Sequence, residues 1–123
     1  MLNRRQEFGK TGESIAVRFL RSKGYRILEQ NYRTGLGEID IIARDRKTLV
    51  FVEVKARNSK KFGSPKAAVT TQKQRKISMV ALQYLKSTDQ TRARARFDVV
   101  AISSAHTPPQ IELVKNAFDL AYG

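Results

Sequence analysis

The segment from Glu38 to Arg57 constrains this chain more than any other. Glu38 to Arg44 alternates apolar residues with mostly charged ones, Asp45-Arg46-Lys47-Thr48 is a polar break, and Leu49 to Arg57 is dense in Val and Phe. Two strand signals about a short polar turn predict a hairpin. Side chains alternate between faces along a strand. Val50, Val52, Val54 and Ala56 therefore share one face, matched by Ile39, Ile41 and Ala43 on the first strand. Leu49, Phe51, Glu53, Lys55 and Arg57 share the other, matched by Glu38, Asp40, Ile42 and Arg44. A turn at Arg46-Lys47 opposes Asp45 to Thr48 and, stepping outward one residue per strand, Asp40 to Glu53 and Glu38 to Lys55. A slip by one residue would mix charge into the apolar layer. Arg46-Lys47 lacks the Asn-Gly signature of tight hairpins, which leaves the turn type open.

Facing carboxylates repel and destabilise a purely structural hairpin. A divalent cation removes the conflict. Mg²⁺ takes octahedral oxygen ligands, commonly one or two carboxylates with waters and substrate phosphate. Lys55 follows Glu53 on the same face, where an amine can hold an attacking water or offset charge in a phosphoryl transition state. Asp40, Glu53, Lys55 and a metal are sufficient parts for phosphodiester hydrolysis. Glu38 opposite Lys55 reads equally well as a cross-strand ion pair.

Elsewhere the pattern predicts a helix from about Glu7 to Lys23, stopped by Gly24, and a strand from Tyr25 to Tyr32. Asn58 to Pro65 reads as a basic loop. Ala67 to Leu85 reads as a second helix, or as a short turn near Ala67 followed by a main segment capped by Thr70 or Thr71, with Ile77, Val80, Ala81, Tyr84 and Leu85 inward. Arg94 to Ile102 is a further strand. Gln110 to Lys115 is an edge strand behind Pro108-Pro109, and Asn116 is expected to cap a short helical turn. The expected order is α-β-β-β-α-β-β, a mixed sheet flanked by helices in one α/β domain over residues 1–123.

Composition narrows the partners. Lys and Arg number 24 against 11 Asp and Glu, a net charge of +13 in 123 residues, which points to a polyanion. Cysteine is absent, which excludes disulfides, thiolate zinc sites and cysteine nucleophiles. The lone His106, in a loop beside prolines, reads as a surface residue. The polar amino-terminal residues carry no secretion-signal pattern, and no apolar run approaches the length of a membrane span. A cytoplasmic protein with no membrane partner is expected. Lys60, Lys61, Lys66, Lys73, Arg75 and Lys76 cluster after the acidic strand, and Arg92, Arg94 and Arg96 form a second group. Flanking the carboxylates, they would make a phosphate-tracking rim with steep salt dependence. Taken alone, such a charge run is most often a solvated face.

Gly37-Glu38-Ile39-Asp40 followed by Glu53-Val54-Lys55 resembles the PD-(D/E)xK core of restriction-endonuclease-like nucleases, with Ile39 where the motif name has proline. Gly12-Glu13 with Ala16, Phe51-Val52-Glu53-Val54-Lys55, Lys73, Arg96-Phe97-Asp98-Val99-Val100 and Asn116-Ala117-Phe118 resemble the YraN-like family of uncharacterised bacterial proteins over nearly the whole chain. That family is similar to archaeal Holliday junction resolvases, which are dimeric and metal-dependent. The resemblance implies a restriction-endonuclease-like core and a Mg²⁺- or Mn²⁺-dependent endonuclease. Asp40, Glu53 and Glu13 would be its metal ligands and Lys55 its catalytic lysine, with branched or structured DNA as substrate ahead of RNA. Lys73, one turn before Ile77 on the inward stripe of the second helix, is placed to reach phosphate, Gln72 and Arg57 are weaker candidates for backbone contacts, and the clustered Lys60, Lys61, Lys66 and Lys76 are expected nucleic-acid contacts. A homodimer is expected where both strands are cut. The alternatives are a basic nucleic-acid-binding protein without chemistry, and a protein-interaction module of a DNA-processing assembly. Glu13 reads equally well as a partner for arginines on its own helix.

Overall fold

The computed structural model describes residues 4–57 and 69–120. Helix α1 (Arg4–Ser22) carries Ala16, Val17 and Leu20 on one buried stripe. It ends at Gly24, whose φ is +90°. Gly24 N–H donates to the Arg21 carbonyl and Tyr25 N–H to the Leu20 carbonyl, both at 3.0 Å. This Schellman arrangement needs a left-handed residue, which glycine supplies without a Cβ clash.

Strands β1 (Arg26–Thr34), β2 (Gly37–Asp45) and β3 (Thr48–Arg57) follow, then helix α2 (Thr71–Ser87) and strands β4 (Ala95–Ser103) and β5 (Gln110–Phe118). The order is the expected α-β-β-β-α-β-β. The five strands form one mixed sheet in sequence order, antiparallel throughout except for the parallel pair β3–β4. Parallel neighbours need a long crossover, and α2 lies within it. Helix α2 begins at a Thr70 cap, whose hydroxyl accepts from Lys73 N–H at 3.2 Å.

The helices cover opposite faces. On one, Ile77, Val80, Ala81, Tyr84 and Leu85 of α2 pack on Leu49, Phe51, Phe97 and Val99. On the other, Ala16, Val17 and Leu20 of α1 pack on Ile41, Ala43, Val50, Val52, Val100 and Ile102. Strand β3 is therefore buried on both sides, which explains its unbroken apolar run. Each fully buried Leu, Val or Phe there contributes about 1.5–3 kcal/mol. Among the described residues, no helix is long and apolar enough to cross a membrane.

The expected hairpin register holds from Asp45↔Thr48 to Ile41↔Val52. Helix α2 starts at Thr71 rather than near Ala67, and other expectations about the elements fail as well. Ile39 does not join Ile41 and Ala43 but packs with Ile42 on the α2 side. Asn116 does not cap a helical turn. It sits inside β5 with φ +52°, where the β4–β5 register shifts, and the strand runs on to Phe118, stacked on Phe97 at 4.7 Å between ring centroids. Between Phe97↔Phe118 and Val99↔Val114 strand β5 carries two more residues than β4, and the left-handed Asn116 lies within that excess, as in a bulge. Finally, α1 starts three residues before Glu7. The loop expected at Asn58 to Pro65 lies outside the described residues.

Candidate metal and phosphate site

Beyond Ile41↔Val52 the β2–β3 ladder stops, one step short of the Asp40–Glu53 pair. There Asp40 Oδ2 accepts the backbone N–H of Val54 at 2.8 Å, so a carboxylate takes the place of a strand carbonyl. The switch of Ile39 to the α2 side marks the same irregularity. Asn31, between the β1–β2 pairs Gln30↔Ile41 and Tyr32↔Ile39, is also left-handed, with φ +52°. Irregularities of this kind re-aim a side chain out of the regular pleat.

Glu53 keeps the alternation of β3 and is 6% exposed. The Asp40 and Glu53 carboxyl groups lie close enough for the charge of Glu53 to act on Asp40. Burial, then the charge of Glu53, push the Asp40 carboxyl up to about 8, with Glu13 adding to the rise and the Val54 N–H opposing it. Two crowded acids accommodate one another by retaining a proton where no cation neutralises them.

Two helices bring the remaining groups. Gly12 lies so close to β3 that a Cβ there would come within 2.8 Å of the Ala56 Cβ. This contact holds α1 down on β3 and brings the neighbouring Glu13 close enough to act on Asp40 through its charge. From the first turn of α2, Lys73 Nζ forms an ion pair with Glu53 Oε1. Gly37, Glu38, Asp40, Glu53, Lys73, Lys76 and Ile77 line an open cleft of about 240 Å³. A cleft of similar size lies toward the starts of β3 and β4, lined by Phe51, Phe97, Phe118 and Leu85, away from these acids.

Thus Glu13, Asp40, Glu53, Lys73 and Lys76 gather around one region. Lys55 follows Glu53 along β3 and is half-buried, but does not line the cleft. Gln72 is exposed in the first turn of α2. Arg57 ends β3, where its carbonyl accepts from Ser104 N–H at 2.9 Å. Lys60, Lys61 and Lys66 lie outside the described residues. Glu38 does not pair with Lys55: the strands have parted, and its carboxylate accepts from Arg33 Nε on β1 at 3.1 Å.

Arg96 leaves the expected basic rim altogether. Its guanidinium donates to Asp98 Oδ1 at 3.0 Å, Asp45 Oδ2 at 2.6 Å and the Tyr25 hydroxyl at 2.7 Å. Asp98 is fully buried and also accepts from the Tyr25 hydroxyl at 2.9 Å and Asn116 N–H at 3.0 Å. The Arg96 hydrogen bond holds Asp45 below the usual carboxylate range, while burial, then Asp98, push Tyr25 up. This network ties β4 to the β2–β3 turn, to β5 and to Tyr25, just before β1. Arg-Phe-Asp on an alternating strand gave no sign of it; the spacing suits a solvated face equally well.

The donor chemistry fits a hard divalent cation. Among the described residues no three Asp, Glu, His or Cys side chains form a group that could hold a metal ion. The convergence is a pair of carboxyls with a third acid acting at longer range. Mg²⁺ is commonly held by one or two carboxylates, with water and substrate phosphate completing its shell.

The profile of the family described as "Uncharacterised protein family UPF0102" matches residues 12–102. A "UPF0102 protein" of Desulfosudis oleivorans is 56% identical over 119 residues, covering 97% of this chain and 95% of the relative. One from Geobacter metallireducens is 53% identical over 117 residues, 95% of this chain and 96% of the relative. A Rhodococcus jostii relative is 47% identical over 111 residues, 89% of this chain and 94% of its own length.

Proposed function

The chain belongs to the UPF0102 family, and from the chemistry of its cleft we propose that it is a divalent-metal-dependent nuclease hydrolysing phosphodiester bonds in DNA. One observation carries the proposal: Asp40, whose Oδ2 accepts from Val54 N–H, and Glu53, 6% exposed, meet where the β2–β3 ladder parts, in a cleft bordered by Lys73 and Lys76. A structural role would favour an acid and a base there, or two apolar residues, rather than two acids.

In this reading Asp40 and Glu53 hold Mg²⁺ or Mn²⁺, and Glu13 adds negative charge from α1. The bound ion supplies Lewis-acid polarisation of the scissile phosphate and a more acidic water. Lys55, next on the Glu53 side of β3, orients the attacking water by donating a hydrogen bond. Lys73 and Lys76 draw the phosphate backbone into the cleft, and Arg57 and Gln72 extend that track. Such contacts position DNA without reading its sequence. Recognition by backbone and shape suits branched or structured substrates, the class suggested by the resemblance to junction resolvases. Cutting both strands of a junction would use two copies of the chain.

The test is cleavage of branched and linear DNA with Mg²⁺ or Mn²⁺ by wild type, Asp40→Asn and Lys55→Ala. The proposal expects metal-dependent cleavage by wild type and a loss of at least about 100-fold in each variant, the usual scale for a lost proton-transfer group. No cleavage by wild type, or equal cleavage by all three, removes it. One observation favours a second reading. Lys73 already neutralises Glu53 without a metal, which suits a basic nucleic-acid-binding protein without chemistry. That reading expects salt-sensitive DNA binding indifferent to metal and unimpaired in Asp40→Asn.

A further inference from the structure

The two partners of the Glu53–Lys73 ion pair are held very differently. Glu53 is 6% exposed on a strand buried on both faces. Its carboxylate cannot leave without unpacking β3. The Lys73 side chain is 43% exposed, on a flexible stem anchored only by the first turn of α2. Its ammonium can swing away into the open cleft while the helix stays capped by Thr70. The ammonium sits on Glu53 Oε1, and a divalent cation brought to the same buried carboxylate would repel it.

We propose that Lys73 is a place-holding residue, whose ammonium occupies Glu53 in the metal-free chain and is expelled toward the mouth of the cleft when a divalent cation binds. This inference rests on the metal-site reading above and deepens it. The released ammonium lies beside Lys76, where it adds a contact for a DNA phosphate. Metal binding thereby raises the positive charge offered to DNA at the place where the phosphate must sit. In the metal-free state the same ammonium keeps a buried carboxylate from standing unpaired, which is strongly destabilising.

A place-holder competes with the metal, whereas a purely structural bridge supports the site. The two roles predict opposite effects of removing the ammonium. The experiment is calorimetric titration of the intact chain with Mn²⁺ and no DNA, comparing wild type, Lys73→Met, Lys73→Arg and Asp40→Asn. Met retains much of the apolar stem without the charge. Lys73→Met should bind Mn²⁺ about tenfold tighter than wild type, the size of an ordinary coupling between linked sites, while its metal-free melting temperature falls. Lys73→Arg should restore both the melting temperature and the weaker Mn²⁺ binding. Lys73→Gln is the second neutral variant, read in the same way if Lys73→Met does not fold. Neutral variants that bind Mn²⁺ no tighter than wild type overturn the exchange. If Mn²⁺ also binds wild type and is lost in Asp40→Asn, only the exchange falls. If wild type binds no Mn²⁺, or Asp40→Asn binds it equally well, the metal site falls and the exchange with it.

Discussion

Asp40 shows what a single residue costs the metal-free fold. Its folded carboxyl sits at about 8 against an ordinary 3.8, raised first by burial and then by Glu53. The folded chain thus holds a proton that the unfolded chain releases. The associated stability is fully present below the unfolded value and is lost as pH rises through the folded one. In EDTA, wild type should lose stability between about pH 4 and pH 8 relative to Asp40→Asn, which cannot ionise there and can still accept from Val54 N–H. The melting-temperature gap should widen by on the order of 5 °C across that range; parallel melting curves would contradict the crowding of the two acids. Asp98 makes the opposite case. Asp98→Ala leaves Arg96, Tyr25 and the Asn116 N–H without their shared acceptor, and should cost about 3–5 kcal/mol in urea unfolding. A cost below about 1 kcal/mol, the scale of a surface ion pair, would show that the network is loosely held.

At the scale of elements, the approach of α1 to β3 sets where Glu13 lies. Gly12→Ala raises helix propensity by up to about 1 kcal/mol, yet its Cβ would meet the Ala56 Cβ at 2.8 Å. The clash should win, with a net loss of about 1–3 kcal/mol in urea unfolding. Gly12→Ala combined with Ala56→Gly should recover more than half of it; no recovery would place the strain elsewhere. Much of this level was legible in the sequence. Period-two alternation identified β3, and matching apolar faces fixed its register with β2 even though the turn is Arg46-Lys47, with Arg46 at φ +57° rather than an Asn-Gly pair. The same alternation, extended one residue too far, placed Ile39 on the wrong face, because no periodic rule foresees strands parting at Asp40. Asn116 misled for a related reason: asparagine tolerates the left-handed conformation in a bulge as well as at a helix end. Lys73 reached the site, but only the packing of α2 shows that its partner is Glu53.

For the whole molecule, charge and fold point the same way. The net charge of +13 is far beyond what solubility needs, while the acids around Asp40 stand out against it. DNA affinity should fall steeply with salt, with a log–log slope of magnitude about 4 or more as several phosphates release counterions. Fluorescence anisotropy at stepped salt concentrations measures it; a flat dependence would assign the charge to something other than nucleic acid. The most direct measurement of the central claim is a crystal structure grown with Mn²⁺ and read by anomalous scattering. A manganese peak within about 2 Å of a carboxylate oxygen from both Asp40 and Glu53 is the result expected. Density showing Lys73 still on Glu53, and manganese absent or bound elsewhere, would contradict it.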